Sequence, residues 1–415
     1  MVPTIGRRGF AFIPFAMLTK SNKSNSELAG ALQSARSCTD ALFSRVRPDS
    51  LYERPIAERH RIVFYLGHLE AFDWNLICRG PLDVPSFQAK FDGLFAFGID
   101  PDSSGLPQDK PADWPSLGEI NAYNSRVRTT LDGVLEEAPR ELLHVAIEHR
   151  LMHAETFAYM LHHLPYDRKT GLRAAPHGNG RRVQPSMVEI PSGKAVLGLQ
   201  KGEGFGWDNE YQRHSIDVPP FAIGKYKVTN GEYLAFVESG AAAPPFWVSR
   251  SGRWFYRGMF EEIPLPLDWP VYVSHDQAAA YATWAGKRLP AEAEYQLAAF
   301  GSGDDTGLSL DPARDNFDFH EWDPVAVNAS RENKFGVVQL VGNGWEWTST
   351  VFQPFPGFEP FPFYPGYSAN FFDGQHYVMK GASQRTAAKL VRPSFRNWFR
   401  GSYPYVYAAF RVAES

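Results

Sequence analysis

Two histidines, His149 and His153, lie four residues apart in the segment PRELLHVAIEHRLMHAETFAYMLHHLP, residues 139–165. The spacing of its apolar residues and the proline at each end predict a helix. At about 3.6 residues per turn, both imidazoles stand on the same face of that helix. Such a pair supplies half of a metal site before any tertiary structure is considered.

A third imidazole comes from His68, in the segment YLGHLEAFDWN. In an antiparallel helical bundle, a histidine on one helix can face a histidine pair on another. Three protein ligands leave coordination positions open, as catalytic rather than structural metal sites do. Glu155 follows His153 by two residues, or about 200° around the helix. We therefore expect Glu155 to point away, and we favour three histidines over a two-histidine-one-carboxylate site.

Spacing alone leaves a second interpretation open. The chain contains 12 histidines, so a pair at this spacing also arises by chance. His149 and His153 would then be polar residues on a half-buried helix face. We expect the other histidines of the same helix, which are His144, His162 and His163, to be exposed or structural.

The pattern of apolar and polar residues changes along the chain. Apolar residues spaced by three and four predict four long helices, the number found in an up-and-down bundle; they cover residues 26–46, 57–77, 118–135 and 139–165. A loop rich in Pro, Gly, Asp and Phe occupies residues 81–115, and loops of this length are usually functional or disordered. We expect a disordered extension over residues 1–25, a helical domain over 26–165 and a polar linker over 166–185.

Residues 186–415 have a different pattern. Short β-like runs alternate with turns, and Trp, Tyr, Phe, Pro and Gly are frequent. Two helix patterns cover residues 229–240 and 274–300. This mixture predicts an α+β domain with much irregular structure, held together by aromatic packing.

The length and composition of the chain exclude several classes of protein. A chain of 415 residues is long enough for two domains. Its net charge of −4 gives no basic surface for nucleic acid, and no apolar run approaches the roughly 20 residues of a membrane span. The two cysteines, Cys38 and Cys78, form neither a zinc ribbon nor a disulfide framework, so we expect a cytoplasmic protein without nucleic-acid or membrane partners.

Several ordered motifs carry a family resemblance. They are YLGHLEAFDWN and HRLMHAE in the first half, and GKRLPAEAEYQLAAF, GNGWEWTST, VMKGAS and RPSFRNWF in the second. Together they resemble the nonheme iron sulfoxide synthases of ergothioneine biosynthesis, from about residue 26 to the end. The resemblance implies a multidomain fold. An N-terminal all-α DinB-like four-helix bundle is followed by a C-terminal α+β domain, C-type-lectin-like and of the formylglycine-generating-enzyme type.

The resemblance also implies ligands and substrates. Fe(II) would be bound by His68, His149 and His153, and the substrates would be O₂ and hercynine, the trimethylated betaine of histidine. A trimethylammonium group binds well to an aromatic face, and the motif RNW implies this role for Asn397 and Trp398, although Trp398 could simply pack in a core. We expect the pocket between the histidine face and this motif.

The resemblance also implies roles for several further residues. Tyr364 and Tyr367 are the candidates for a catalytic tyrosine that donates a proton or an electron. The alternative for each of them is a role in packing alone. Arg396, Phe399 and Met152 complete the predicted substrate-binding set. The motif GNGWEWTST, with Trp345, Glu346 and Trp347, is interpreted as structural.

Departures from the family point to an unusual donor. Synthases that use γ-glutamylcysteine carry loop arginines that bind carboxylates, but FAFGIDPDSSGLPQDKPADWP contains none. Phe399 replaces an aspartate, and Arg150, Leu151 and Met152 replace a glutamine-rich stretch. These changes favour an uncharged donor, and the loop residues that would suit its hydroxyl groups are Asp100, Asp102, Ser103, Ser104 and Gln108.

With the ending RNWFRGSYPYVYAAFR, this pattern is similar to the selenoneine synthase branch, in which the donor is a selenosugar. The alternative is a sulfoxide synthase that uses cysteine, a thiosugar or γ-glutamylcysteine, the last with arginines from elsewhere, such as Arg385, Arg392 or Arg400. A zinc-dependent DinB-type thiol transferase and a non-enzymatic lectin-like module are alternatives from other classes. A formylglycine-generating enzyme is disfavoured, because its copper site needs a cysteine pair in the C-terminal domain.

Overall fold

A computed structural model describes residues 24–96, 106–171, 181–302 and 309–415. The chain forms two compact units. The first contains Met1–His153 and Glu359–Asn370, and the second contains Ala154–Phe358 and Phe371–Ser415. The predicted loop contacts of Asp100, Asp102, Ser103 and Ser104 lie outside the described residues, as does nearly all of the predicted extension.

The N-terminal region is helical, and each of the four predicted long helices is present. The α-helices are α1 (Ser26–Phe43), α2 (Ile62–Asp73), the short α3 (Ala89–Leu94), α4 (Leu117–Asp132) and α5 (Arg140–His163). A π-helical turn, Trp74–Cys78, continues α2. Helix α3 lies within the segment predicted as a loop. No helix in the described ranges has the length and apolarity needed to cross a membrane. A DinB-like arrangement of these helices stays a prediction.

Buried and half-buried ion pairs join these helices to one another. The guanidinium of Arg36 on α1 pairs with Asp132 at the end of α4 at 2.5 Å. Arg128 of α4 pairs with both Asp40 of α1 and Glu70 of α2 at 2.7 Å. The first unit is therefore held by directional charged contacts as well as by apolar packing.

The second unit is the predicted mixture of short strands and helices. Its strands are β1 (Met187–Ile190), β2 (Gly193–Leu197), β3 (His214–Val218), β4 (Phe221–Gly224), β5 (Trp247–Arg250), β6 (Arg253–Arg257), β7 (Glu262–Pro264), β8 (Gly344–Val351), β9 (His376–Ala382), β10 (Asn397–Arg400), β11 (Ala408–Phe410) and β12 (Ala413–Glu414). They form sheets in the orders β1-β4-β12, β10-β9-β8-β11, β2-β3 and β5-β6-β7. The β11–β8 pair is parallel, and the other pairs are antiparallel.

The helices of this unit are α6 (Asn230–Glu238), α7 (His275–Trp284), α8 (Glu292–Phe300) and the short α9 (Pro312–Asp315). A further short helix, α10 (Gly366–Ala369), belongs to the first unit. The segment 274–300, predicted as one helix pattern, is divided into α7 and α8. Gly286 has a positive φ of 68°, and Pro290 follows before α8 begins. These two residues prevent a continuous helix.

The compact units are divided differently from the predicted domains. The division falls inside α5, between His153 and Ala154, and residues 359–370 join the first unit. That segment packs there through Tyr364, whose ring lies 5.6 Å from Phe72, and through Tyr367, whose hydroxyl donates to the sulfur of Met152. The boundaries predicted at 165 and 186 stay predictions about sequence domains.

The motif GNGWEWTST lies in the core of the second unit, as its structural interpretation expects. Glu346 on β8 is fully buried and accepts from Lys227 Nζ and Arg411 Nε, each at 2.8 Å. Trp345 and Trp347 on the same strand are also buried. Two buried cations thus share one buried carboxylate.

We expect Glu346→Gln to destabilise the second unit by about 3–5 kcal/mol, because it leaves two buried cations without a counter-charge. The measurement is the free energy of unfolding in urea, with tryptophan fluorescence as the signal. As a control, Asp217→Asn disrupts an exposed pair with Lys194 and should change stability by less than about 0.5 kcal/mol. Equal shifts in the two variants would contradict this interpretation of the core.

Candidate metal centre

His68 of α2 and His149 and His153 of α5 converge in the first unit. Their candidate ligand atoms all lie within 4.8 Å of one another, and all three side chains are buried. Among the described residues, no other group of three or more His, Cys, Asp or Glu side chains meets this criterion. The two helices predicted to supply the ligands do bring them together.

The orientation of His68 is fixed by a backbone carbonyl. Its Nδ1 lies 2.7 Å from the Phe95 carbonyl oxygen, so Nδ1 carries the proton and donates it, and Nε2 keeps its lone pair. That Nε2 is buried and has no hydrogen-bond partner among the residues described. Gly67 permits this arrangement, because a Cβ there would lie 2.5 Å from the Phe95 ring.

The other two imidazoles face each other directly. His149 Nε2 and His153 Nε2 are 3.1 Å apart. Either one ring donates a proton to the other, or both direct lone pairs at a shared cation. Two nitrogens bound to one ion at about 2.0–2.1 Å are separated by roughly 3 Å. Together with the unpartnered Nε2 of His68, this separation fits a metal ion.

Burial keeps these imidazoles neutral, as metal ligands must be. It lowers the pKa of His68 to about 4, although the bond to the Phe95 carbonyl opposes the shift. Burial, with the neighbouring imidazoles, also lowers the pKa of His149 and that of His153 well below their usual value. Three lone pairs are therefore available at neutral pH.

Aromatic and thioether groups line the ligands. The Phe72 ring stacks on His149 at 3.5 Å with an interplanar angle of 10°, and Tyr364 packs on Phe72. The Tyr367 hydroxyl lies 3.3 Å from the sulfur of Met152, which directly precedes His153. Both candidate tyrosines thus belong to the same unit as the histidines. Phe72 was missed, although its spacing of four residues from His68 on one helix was a signal.

Glu155 takes no part in the cluster, in agreement with its predicted direction. It belongs to the second unit, where it accepts from Trp345 Nε1 at 2.7 Å, Ser383 Oγ at 2.5 Å and Thr386 Oγ1 at 2.7 Å. Burial raises the pKa of Glu155, and these hydrogen bonds oppose the shift. Its role is to tie the end of α5 to the core of the second unit.

The residues of the RNW motif lie in the second unit on and before β10. The Asn397 side chain accepts from the Trp398 backbone N–H at 2.9 Å, and the Trp398 indole stacks on Phe352 at 4.2 Å. Phe399 stacks on Tyr403. These contacts fix the side chains within the unit, and the predicted contacts with substrate stay predictions.

Several arginines are engaged inside their own units. Arg396 forms a buried bidentate pair with Glu292, which gives it a structural role, and its predicted contact with substrate stays a prediction. Arg385 donates to the carbonyls of Phe319 and Glu321. Arg392 pairs with the buried Glu210. Arg150 forms buried pairs with Glu70 and Asp73. These contacts weaken the proposal that Arg385 or Arg392 replaces the missing loop arginines.

Known proteins are similar to this chain over most of its length. Residues 173–415 match the family described as sulfatase-modifying factor enzyme 1-like domain. Over 429 aligned residues, the hercynine oxygenase of Mycolicibacterium smegmatis is 33% identical, covering 89% of this chain and 96% of that protein. The chain belongs to the hercynine oxygenase family. Residues 173–415 accordingly form the lectin-like, sulfatase-modifying-factor-type domain that the sequence predicts.

Two fungal relatives of the family are longer. Ergothioneine biosynthesis protein 1 of Neurospora crassa is 28% identical, covering 88% of this chain and 55% of that protein. The protein of the same name from Schizosaccharomyces pombe is 27% identical, with coverages of 88% and 53%. This chain therefore spans about half the length of these two proteins.

We expect alanine at His68, His149 or His153 to lower the affinity for Fe(II) by more than tenfold, because each removes one of three ligands. The measurement is anaerobic titration against a chromogenic chelator. His144→Ala is the matched control, since His144 lies on α5 but outside the cluster, and it should bind as the unaltered protein does. Unchanged affinity in all three ligand variants would contradict the site.

Proposed function

We propose that this protein is an Fe(II)- and O₂-dependent selenoneine synthase, which joins the selenium of a selenosugar to C2 of the hercynine imidazole. The observation that carries the proposal is the buried cluster of His68, His149 and His153 in a chain similar along almost all its length to a hercynine oxygenase. Iron, the donor and the product are parts of the proposal.

The overall reaction balances with O₂ as the only oxidant. Hercynine loses the hydrogen at C2, and the selenol loses its hydrogen. A carbon–selenium bond forms, one oxygen atom is transferred to selenium as the selenoxide, and the other leaves as water with the two hydrogens. O₂ accepts four electrons in total.

The three-histidine cluster is suited to this chemistry. Bound Fe(II) would supply binding and activation of O₂ and would hold the substrates at its open positions. His68, His149 and His153 would hold the ion, all three as neutral ligands. The carbonyl of Phe95 keeps His68 in the tautomer whose Nε2 can bind it, and the Phe72 ring fixes the plane of His149 by stacking.

Of the two candidate tyrosines, we assign the proton-donating role to Tyr367. Its hydroxyl is oriented by the sulfur of Met152, beside His153. A thioether is only a weak hydrogen-bond acceptor, so it orients the phenol without strongly holding its proton. Tyr364 instead packs against Phe72 and would support the aromatic side of the cluster.

Asn397 and Trp398 are proposed to bind the betaine of hercynine. The indole of Trp398 is stacked on Phe352 and is therefore held rigidly, and a fixed aromatic face attracts a trimethylammonium group. Phe399 offers no charge to an amino group, which favours an uncharged donor such as a sugar. In the loop predicted over residues 81–115, Gln108 is exposed and has hydrogen-bonding capacity for hydroxyl groups.

The second candidate is a sulfoxide synthase that forms a carbon–sulfur bond with cysteine, a thiosugar or γ-glutamylcysteine. The observation that favours it is the name of the fungal relatives, which places them in ergothioneine biosynthesis. The two candidates share the iron site and hercynine and differ only in the donor. The predicted cytoplasmic location is compatible with either.

Competition between donors tests the proposal. The protein is reconstituted with Fe(II) without oxygen, mixed with hercynine and equal amounts of selenosugar, thiosugar, cysteine and γ-glutamylcysteine, and then exposed to O₂. We expect the selenosugar conjugate to be the main product by mass spectrometry, and no product under nitrogen. A product formed only from γ-glutamylcysteine would contradict the assigned donor, and turnover under nitrogen with zinc would indicate a thiol transferase.

We expect Tyr367→Phe to lower the rate of product formation by about 10²–10⁴-fold, the usual range for loss of a proton donor, with unchanged Fe(II) affinity. Tyr364→Phe keeps the ring that packs on Phe72 and is the matched control, with a much smaller effect. The measurement is the rate of single turnover after exposure to O₂. If Tyr364→Phe is the slower variant, the roles of the two tyrosines are reversed.

A further inference from the structure

Arg150 lies directly after His149 on α5, and its shorter hydrogen bonds are made with α2. A longer one, at 3.5 Å, joins Nη1 to Thr39 Oγ1 of α1. Nη1 donates to Glu70 Oε1 at 3.0 Å, and Nη2 donates to the Leu69 carbonyl at 2.9 Å and to Asp73 Oδ2 at 2.7 Å. The Arg150, Glu70 and Asp73 side chains are each at most 2% exposed. One guanidinium therefore binds three acceptors in the stretch of α2 that follows His68.

These contacts join the two ligand-bearing helices at the level of the ligands. On α2 the acceptors begin at the residue after His68, and on α5 the donor is the residue after His149. Neighbouring residues of a helix point about 100° apart, so the Arg150 side chain need not approach the ion itself. Its effect on the site is exerted through the position of α5 along α2.

Stability alone gives no good reason for a buried charge cluster here. Desolvation of buried ions offsets most of their attraction, and well-packed apolar residues often serve as well or better. An apolar contact, however, is non-directional and tolerates sliding of one helix along another. A planar guanidinium with several fixed donors does not, and metal–ligand distances are confined to about ±0.2 Å.

We propose that Arg150 is a positioning residue for the metal centre: its fork of hydrogen bonds to Leu69, Glu70 and Asp73 sets the register of α5 against α2 and so the separation of His68 from His149 and His153. This inference rests on the proposed function, because it concerns the same metal site. It assigns Arg150 a role in the metal centre that does not depend on the identity of the donor.

A matched control exists in the same unit. Arg36 is also buried and pairs with Asp132, joining α1 to α4, and neither of those helices carries a ligand. Arg36→Met therefore removes a buried guanidinium and its pair with the half-exposed Asp132, and it leaves every hydrogen bond between Arg150 and α2 in place. The charge of Arg36 acts on Asp73 only at a distance. A role of Arg150 in stability alone predicts that the two methionine variants behave alike.

The experiment is anaerobic Fe(II) titration by chelator competition, with the Co(II) absorption spectrum as a second readout, on full-length protein below the unfolding temperature of every variant. We expect Arg150→Met to lower Fe(II) affinity by roughly 10–100-fold, as loss of supporting contacts around metal ligands does, and to alter the Co(II) spectrum. Arg150→Lys should restore affinity in part, and Arg36→Met should leave both readouts unchanged. If Arg150→Met does not fold, Asp73→Asn and Glu70→Gln replace it and should lower affinity in the same direction.

The outcomes separate the two proposals. If the unaltered protein binds no Fe(II) or Co(II), the proposed function fails and the inference fails with it. If the unaltered protein binds metal and the folded Arg150 variant, or its two replacements, bind equally well, the positioning role alone is overturned. Equal losses of affinity in the Arg150 and Arg36 variants would also overturn it, since a general loss of rigidity would then explain both.

Discussion

Three unprotonated imidazole nitrogens facing one another inside a protein form an arrangement that a cation stabilises. The 3.1 Å approach of His149 Nε2 to His153 Nε2 and the unpartnered Nε2 of His68 would be unfavourable in an apolar interior if all three nitrogens were unprotonated acceptors without an ion between them. The surrounding contacts are consistent with holding these rings for an ion. A carbonyl fixes one tautomer, a phenylalanine fixes one ring plane, and a guanidinium joins the two helices.

These supports depend on very small features of the sequence. Gly67 matters because it has no Cβ, which lets the Phe95 ring approach α2 and its carbonyl reach His68. Arg150 matters because it has several donors in one plane. Neither residue would contact the ion in the proposed site. The geometry of the proposed site thus depends on residues that are not themselves metal ligands.

The helices, the placement of His149 and His153 on one face and the exclusion of Glu155 could be predicted from the sequence, because each follows from local periodicity. His68 came from the expected bundle and from the family resemblance. The sequence did not predict the partners of Arg150, because a contact between α2 and α5 depends on tertiary packing that no period encodes. The contact of Phe95 with His68 could not be predicted for a similar reason. Phe95 contributes a backbone carbonyl, which any residue type could provide. The division of 274–300 into two helices was missed, although Gly286 and Pro290 were visible.

The return of residues 359–370 to the first unit has a consequence for biosynthesis. Tyr364 and Tyr367 leave the ribosome about two hundred residues after His153, which at roughly 5–20 residues per second corresponds to a delay of about 10–40 s. During that time the helical unit lacks its last segment, and the histidines lack that part of their surroundings. The first unit to be started is therefore among the last to be finished, and neither unit can be exchanged between proteins as a simple contiguous block.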